Sequence, residues 1–542
     1  MKSKKTSKLL ALFFFTGALI AMSVPALGQL IDRTQTPNAA NEGIAKSFAQ
    51  QVGAGRGDVN TPNSSLFIIN RDPFRAVRRG RQLFQRKFTR AQGQGPLEGD
   101  GVIGDINTNL ALGAGLADSC AACHGRPRGS AGSGGDVVTR PDSRDAPHLF
   151  GLGLKEMLAD EITADLRNIR AQAIAEARAR RRTITRTLTS KGINFGTIRA
   201  FPDGTVDTSG VRGVNADLRV RPFFLQGGTI SIREFAAGAF DAEMGLQPVD
   251  PDLTAAAAGQ RVVTPAGMVL DGSLDQIEVT ANGDDPNGDQ DGDGKTNEIP
   301  TSILDFMEFY LLHYFKAGTR DNGDPDIDDG RSLFTQIGCA TCHIPNLTIN
   351  RDRRVADVET TFARDDIPRA DGLRANPFVH LAAVATPLLT EVDDGSGHPT
   401  IKRPNLRSFV VRNIFTDFKR HDLGPNFHEI NYDGTLQREF LTTPLWGVGS
   451  TGPYGHDGRS PNLQDVIRRH GGEALAARNR FVNLSLSLQN KILVFLNHLV
   501  LFPPDDISSN LNPANPATAG YPQFGHGSIS LTVLFNNPGD VE

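Results

Sequence analysis

Cysteine is scarce in this chain. Four occur in 542 residues, and all four fall in two short motifs, "CAACH" (Cys120, Cys123, His124) and "CATCH" (Cys339, Cys342, His343). None remains for a structural disulfide. Methionine runs out early: there are six, and none follows Met307, so the C-terminal part has no thioether to offer a metal. There is one tryptophan, Trp446. No long basic run is present and the formal charge is only −4, so no nucleic-acid partner is expected. No apolar run reaches the ~20 residues that cross a bilayer as a helix.

The first residues have a recognisable order. "MKSKKTSK" carries four lysines, "LLALFFFTGALIAM" is apolar, and "SVPALG" supplies small residues. This is the pattern of a secretory signal peptide over residues 1–28. The expectation is a periplasmic or secreted protein with no stable membrane insertion after cleavage. Exported cysteines usually pair as disulfides, which makes their confinement to two motifs informative.

Cys-x-x-Cys-His is the pattern of covalent haem attachment. The two thiols add to the haem vinyl groups and the histidine binds the iron. A four-cysteine zinc site would leave both histidines unused. A thioredoxin-like redox pair needs no histidine after the second cysteine. The expected cofactors are therefore two haem c groups, on Cys120, Cys123 and His124 and on Cys339, Cys342 and His343.

The surroundings repeat as well. "GRQLF" (Gly80–Phe84) precedes the first motif and "GRSLF" (Gly330–Phe334) the second. In each, an apolar pair on a short helix would pack beside the haem, as in an internally duplicated helical domain. The expected fold is mainly α, with two cytochrome-c-like haem domains, a small β-hairpin insertion and irregular loops. Boundaries are a linker over 29–63, an N-terminal haem domain over 64–320, a C-terminal one over 321–505, and an irregular tail over 506–542. Helices are expected over 153–182, with an arginine-rich solvated end, over "SIREFAAGAFDAEMGL", and over "PTSILDFMEFYLLHYFKAG". The segment "NFGTIRAFPDGTVDTSGV" reads as the hairpin.

Within the N-terminal domain, residues 284–298 are rich in aspartate. Asp289, Asp291 and Asp293 alternate ahead of Gly294, which is how a loop wraps oxygen ligands around Ca²⁺. The twelfth position, where an EF-hand has Glu, is Pro300. The alternatives are a Ca²⁺ loop and a solvated acidic linker.

A family resemblance rests on longer stretches. "TTPLWGVGSTGPYGHDGRSPNLQDVIRRHGGEA" (Thr442–Ala474), "DAPHLFGLGLKEML", "RPFFLQGGTISIREFAAGAFDAEMGL" and "DFKRHDLGPNF" resemble the di-haem c-type oxidoreductases, relatives of the bacterial di-haem cytochrome c peroxidases. The resemblance implies a peroxidase-like enzyme. The C-terminal haem would transfer electrons to a reactive N-terminal haem; a small redox protein would be the donor and hydrogen peroxide or another oxidant the acceptor. In that family the sixth ligand of the second iron lies fourteen residues after the His of the His-x-Gly turn; counted from His456, this is His470. Resting peroxidases can close the first iron with a histidine just before an Arg-x-Ala-Pro stretch. Here the stretch is Arg144–Pro147 and no histidine lies between His124 and His148, which implies an open first iron unless His148 approaches it. The family's distal acid falls on Glu243, with Glu234 as its rival, and Phe235 stands where the peroxidases have Gln. The peroxidases' inter-haem Trp position is Leu225, flanked by Phe223 and Phe224. His313, His380 and His498 read as packing or surface residues. Two other functions stay open: a pure electron carrier, and a haem oxygenase-type enzyme cleaving an organic substrate.

Overall fold

A computed structural model describes residues 47–71, 73–95, 117–124, 144–313, 317–319, 323–354, 391–392, 400–401, 408–431 and 434–501. The signal peptide (1–28), the tail (506–542) and His380 lie outside the described residues. About 41% of the described residues are helical. The rest includes a three-stranded antiparallel sheet and several two-stranded ladders. The fold is therefore mixed helix and strand, which corrects the expectation of a mainly α chain. The physical reason is local. Irregular segments around the motifs pair their backbones with one another, where a buried loop would otherwise leave polar groups unsatisfied.

The two "GR-x-L-F" segments do lie on helices, Pro73–Gln85 and Asp326–Gln336. Each glycine is a site of close approach. A Cβ on Gly80 would stand 2.3 Å from the carbonyl oxygen of Phe306, and one on Gly330 would stand 2.0 Å from that of Lys491. The partners are the helices Thr301–His313 and Leu486–His498. The aromatic residue that closes each motif repeats the arrangement. Phe84 meets Tyr310 edge-on at 5.7 Å, and Phe334 meets Phe495 edge-on at 5.6 Å. After each partner helix comes a short strand, Ala317–Thr319 or Leu499–Leu501, and these two strands pair antiparallel with each other. The chain thus contains one helix-pair unit twice, joined edge to edge.

Helix Thr301–His313 is the centre of the N-terminal unit. Ile303, Leu304, Phe306 and Phe309 are fully buried, each worth roughly 1.5–3 kcal/mol on removal from water. Helix Leu152–Arg180 crosses it at Gly153, where a Cβ would meet the Leu312 carbonyl at 2.2 Å. Its arginine-rich end is exposed, as expected of a solvated face.

The expected hairpin is present but has a further strand: Ile184–Ser190 pairs with Ile193–Ala200, which pairs with Val206–Asp207. Helix Ile232–Met244 starts at Ser231, whose hydroxyl accepts from Glu234 N, and ends at the left-handed Gly245. Residues 47–63, expected as linker, are folded onto this unit. Phe48–Val52 is a capped helix and Arg56 pairs with Asp252. Its polar composition serves these ion pairs.

Arg233 is fully buried on helix Ile232–Met244. Its guanidinium reaches Asp250 (2.6 Å), Asp305 (3.0 Å) and Glu308 (2.8 Å). This cluster ties the helix to Thr301–His313 and to the N-cap of Pro251–Ala257.

Candidate functional site

Each Cys-x-x-Cys-His motif sits on a single short turn, Cys120–His124 as α-helix and Cys339–Thr341 as 3₁₀-helix. The four thiols are not joined to one another. Among the described residues no group of metal-ligating side chains combines cysteines of both motifs, which disfavours a shared zinc site. Burial pushes the Cys120 and Cys339 thiols up to about 12. Reactive redox cysteines have depressed values, so these are poor candidates for thiolate chemistry.

The histidines are oriented alike. His124 Nδ1 lies 2.6 Å from the carbonyl oxygen of Pro147, and His343 Nδ1 lies 3.1 Å from that of Phe415. A carbonyl oxygen can only accept, so Nδ1 carries the proton and Nε2 presents its lone pair. This is the tautomer a metal-bound histidine needs. His470 follows the same rule, with Nδ1 at 2.7 Å from the Val466 carbonyl at the end of helix Leu463–Arg469. Burial, and then the neighbouring His470, push His343 down to about 4, which keeps it neutral. The donor sets therefore fit two covalently attached haems. Residues His343 and His470 lie close enough to interact; Phe334, part of a second apolar core with Phe415, Phe481 and Phe495, lies 6.0 Å from the His343 ring, and Phe427 lies 5.4 Å from that of His470.

One ladder and one docked turn create these contacts. Leu347–Ile349 pairs with Phe409–Val411, and this register carries His343 to the Phe415 carbonyl. The His-x-Gly turn docks on the segment before His148: Asp145 N donates to the His456 carbonyl at 2.7 Å, and Arg144 Nε donates to Glu429 at 3.0 Å. His456 stacks on Phe440 with centroids 3.8 Å apart and faces Glu429 at 3.2 Å. His456 thus ties the two units together.

His148 has both ring nitrogens engaged. Nε2 lies 3.1 Å from the Trp446 carbonyl, and Nδ1 accepts from Phe150 N at 3.3 Å. Burial pushes it down to about 4, with Lys155 and His124 adding to this. It is neutral and locked in one tautomer, beside His124. For His148 to ligate the first iron, at least one of these bonds would have to break.

Around helix Ile232–Met244 the predicted acids separate. Glu234 is buried; Ser231 Oγ donates to it at 3.2 Å and Glu278 N at 3.1 Å, so both its oxygens serve the local fold. Glu243 is half-buried on the last turn, and its carbonyl accepts from Ala117 N at 3.2 Å, three residues before Cys120. Phe235 packs with Phe224 (5.2 Å) and Phe223 (6.2 Å), and Lys155 Nζ lies over the Phe223 ring. Leu225 sits at the junction of the units, its carbonyl accepting from Leu441 N at 2.8 Å.

Asp289, Asp291 and Asp293 converge, with one oxygen of each within 4.8 Å of the others. A second convergent group is Cys342, Asp417 and His421. Here His421 gives Nε2 to Asp417 and Nδ1 to Glu473, both at 2.9 Å, and is pushed up to about 11 despite its burial, mainly by the bond to Asp417. A doubly donating imidazolium has no lone pair for a metal. The tautomer-fixing carbonyls, the lock on His148 and the His421 clamp escaped sequence reasoning. "DAPHLFG" and "DFKRHD" mark them, but nothing in spacing alone reports a backbone acceptor.

Against known proteins, residues 375–499 match the family model described as "Di-haem oxidoreductase, putative peroxidase". The match makes this C-terminal part of the chain similar to that family. No curated protein matches it. A solved structure, Kuenenia stuttgartiensis hydrazine synthase pressurised with xenon, is similar at 14% identity with a TM-score of 0.21, over 36% of this chain. The chain spans 55% of that structure's length. Among the described residues, no helix is long and apolar enough to cross a membrane.

Proposed function

We propose that this chain is an exported di-haem oxidoreductase of peroxidase type, with haem held covalently at both motifs. Bound haem would supply an iron that accepts and passes single electrons. His343 and His470 would both hold the second iron. His124 would hold the first, with His148 engaged by Trp446 and Phe150, so that the first haem would supply the reaction with an oxidant. Two electrons from a small donor protein and two protons would convert H₂O₂ into two waters. Glu243 would carry a proton between the two peroxide oxygens.

The observation that carries this reading is a continuous hydrogen-bonded link, through backbone and the His148 side chain, between the two motif histidines. It runs from His124 Nδ1 to the Pro147 carbonyl (2.6 Å), through the peptide to His148, and from His148 Nε2 to the Trp446 carbonyl (3.1 Å). From Trp446 it passes to Leu445, whose N–H donates to the Ile414 carbonyl at 3.1 Å, and from Ile414 to Phe415, whose carbonyl meets His343 Nδ1 at 3.1 Å. Four hydrogen bonds and three peptide steps thus join the imidazoles. A simple carrier with two independent irons has no need of such a link.

The test is stopped-flow mixing of half-reduced, haem-loaded protein with H₂O₂. Oxidation of the second haem should follow peroxide consumption, and His148→Leu should slow that step while both static spectra persist. A second haem that stays reduced in the presence of peroxide contradicts the proposal. One observation favours a second reading. With Glu234 engaged on both oxygens, the aromatic wall of Phe223, Phe224 and Phe235 suits an apolar organic substrate for oxidative cleavage. Product analysis with such a substrate and O₂ separates the two.

A further inference from the structure

The acidic loop has features that a solvated linker would lack. Its three aspartates converge, but the informative groups lie beneath them. Glu298 is 5% exposed, and its Oε1 is buried with no hydrogen-bond partner. Asn282, at 6% exposure, has both side-chain polar atoms buried without partners, and a Cβ on Gly288, the residue before Asp289, would stand 2.8 Å from Asn282 Oδ1. Asp291 Oδ2 is likewise buried and unpartnered. Orphaned buried oxygens are costly and uncommon. Here they gather in one place, and Glu298 lies close enough to feel the charge of all three aspartates. A cation would satisfy the carboxylate oxygens together.

We propose that Asp289, Asp291, Asp293 and Glu298 hold a Ca²⁺ ion, and that this ion staples the loop to the wall of the first haem site. Hard oxygen donors in an alternating loop suit Ca²⁺. Glu298 takes the closing role that Pro300 cannot fill at the twelfth position. It is placed for this by the pairing of Ile299 with Pro248, and its Oε2 accepts from Gln247 N at 2.7 Å. The opposite face is Gly93, with φ +98, where a Cβ would fall 1.9 Å from Glu298 Oε1. The carboxylate thus lies between the Gly93 turn and Gln247. Both belong to the first site: Gly95 N donates to the Met244 carbonyl, and Ala117 N to that of Glu243. An ion that fixes Glu298 therefore fixes the segment that carries Glu243. The proposal stands whether or not the peroxidase reading does.

The test uses the full haem-loaded chain, freed of metal with a chelator. Titration with CaCl₂ by calorimetry should show one site, with Kd between about 10⁻⁶ and 10⁻³ M, and MgCl₂ should bind much more weakly. Saturating Ca²⁺ should raise Tm by roughly 3–6 °C. It should also slow amide hydrogen exchange over residues 244–250. Glu298→Gln and Asp291→Asn should each weaken binding tenfold or more, about 1.4 kcal/mol, while Lys295→Ala leaves it intact. Absence of binding, or equal affinity for Mg²⁺, overturns the site. Wild-type affinity in Glu298→Gln removes Glu298 from it. Unchanged exchange over 244–250 on Ca²⁺ addition overturns the staple.

Discussion

Replacing Arg233 with Met should destabilise the N-terminal unit, and by an amount that depends on pH. The volume is nearly kept, but three buried carboxylates lose their common partner. Their side chains are 0%, 0% and 2% exposed at Asp250, Asp305 and Glu308, so water cannot take the place of the guanidinium. Breaking a buried ion pair from one side costs about 3–5 kcal/mol. Protonation limits that cost. Burial pushes Asp305 up, and pushes Glu308 up to about 7, with Arg233 opposing both shifts. A carboxyl whose folded value is raised binds more protons folded than unfolded. Its effect is therefore a loss of stability as pH rises from the unfolded value near 4.5 through 7. Removing Arg233 raises these values further and deepens the loss at high pH. Urea unfolding followed by circular dichroism should show a deficit of about 3–5 kcal/mol at pH 8 and a smaller one at pH 5. Adding Glu308→Gln to the variant should recover part of it at pH 8. A deficit below about 1 kcal/mol at pH 8, within the range of an ordinary surface change, or one equal at both pH values, would refute the assignment.

Other outcomes follow from the site and the duplicated unit. His470→Ala should remove the low-spin signal of the second haem and leave the first unchanged; an unaltered spectrum would make His470 structural. Gly330→Ala should cost about 1–3 kcal/mol by overpacking against the Lys491 carbonyl, measured by urea unfolding, and an unchanged midpoint would mean the helices separate freely. Glu243→Gln should lower peroxide turnover by roughly 10²–10⁴ with little change in cyanide affinity, and unaffected turnover would move the acid elsewhere.

The main helices were legible in the sequence, because they follow the helical period. The repeated "GR-x-L-F" marked two of them through its apolar pair, but the close approach of Gly80 and Gly330 to neighbouring helices was not read from it. Beyond the expected hairpin, the strand content was not legible. Leu347–Ile349 and Phe409–Val411 are three-residue pairs between distant segments, too short for alternation to register. Ile184–Ser190 was missed because "ITRTLTS" buries few of its residues, so its β-branched content was the only cue. Residues 47–63 read as linker because they are polar, although Arg56 and Gln51 spend that polarity on the fold. His148 shows the limit most clearly. Its tautomer is set by a carbonyl 298 positions away, which no spacing rule reports.

The central claim is that the two motif histidines hold haems of different coordination. Electron paramagnetic resonance of the oxidised, haem-loaded protein tests it most directly, with cyanide added in a second sample. The account predicts one low-spin bis-histidine signal that cyanide leaves alone and one high-spin signal that cyanide converts. Two low-spin signals, both indifferent to cyanide, would contradict it.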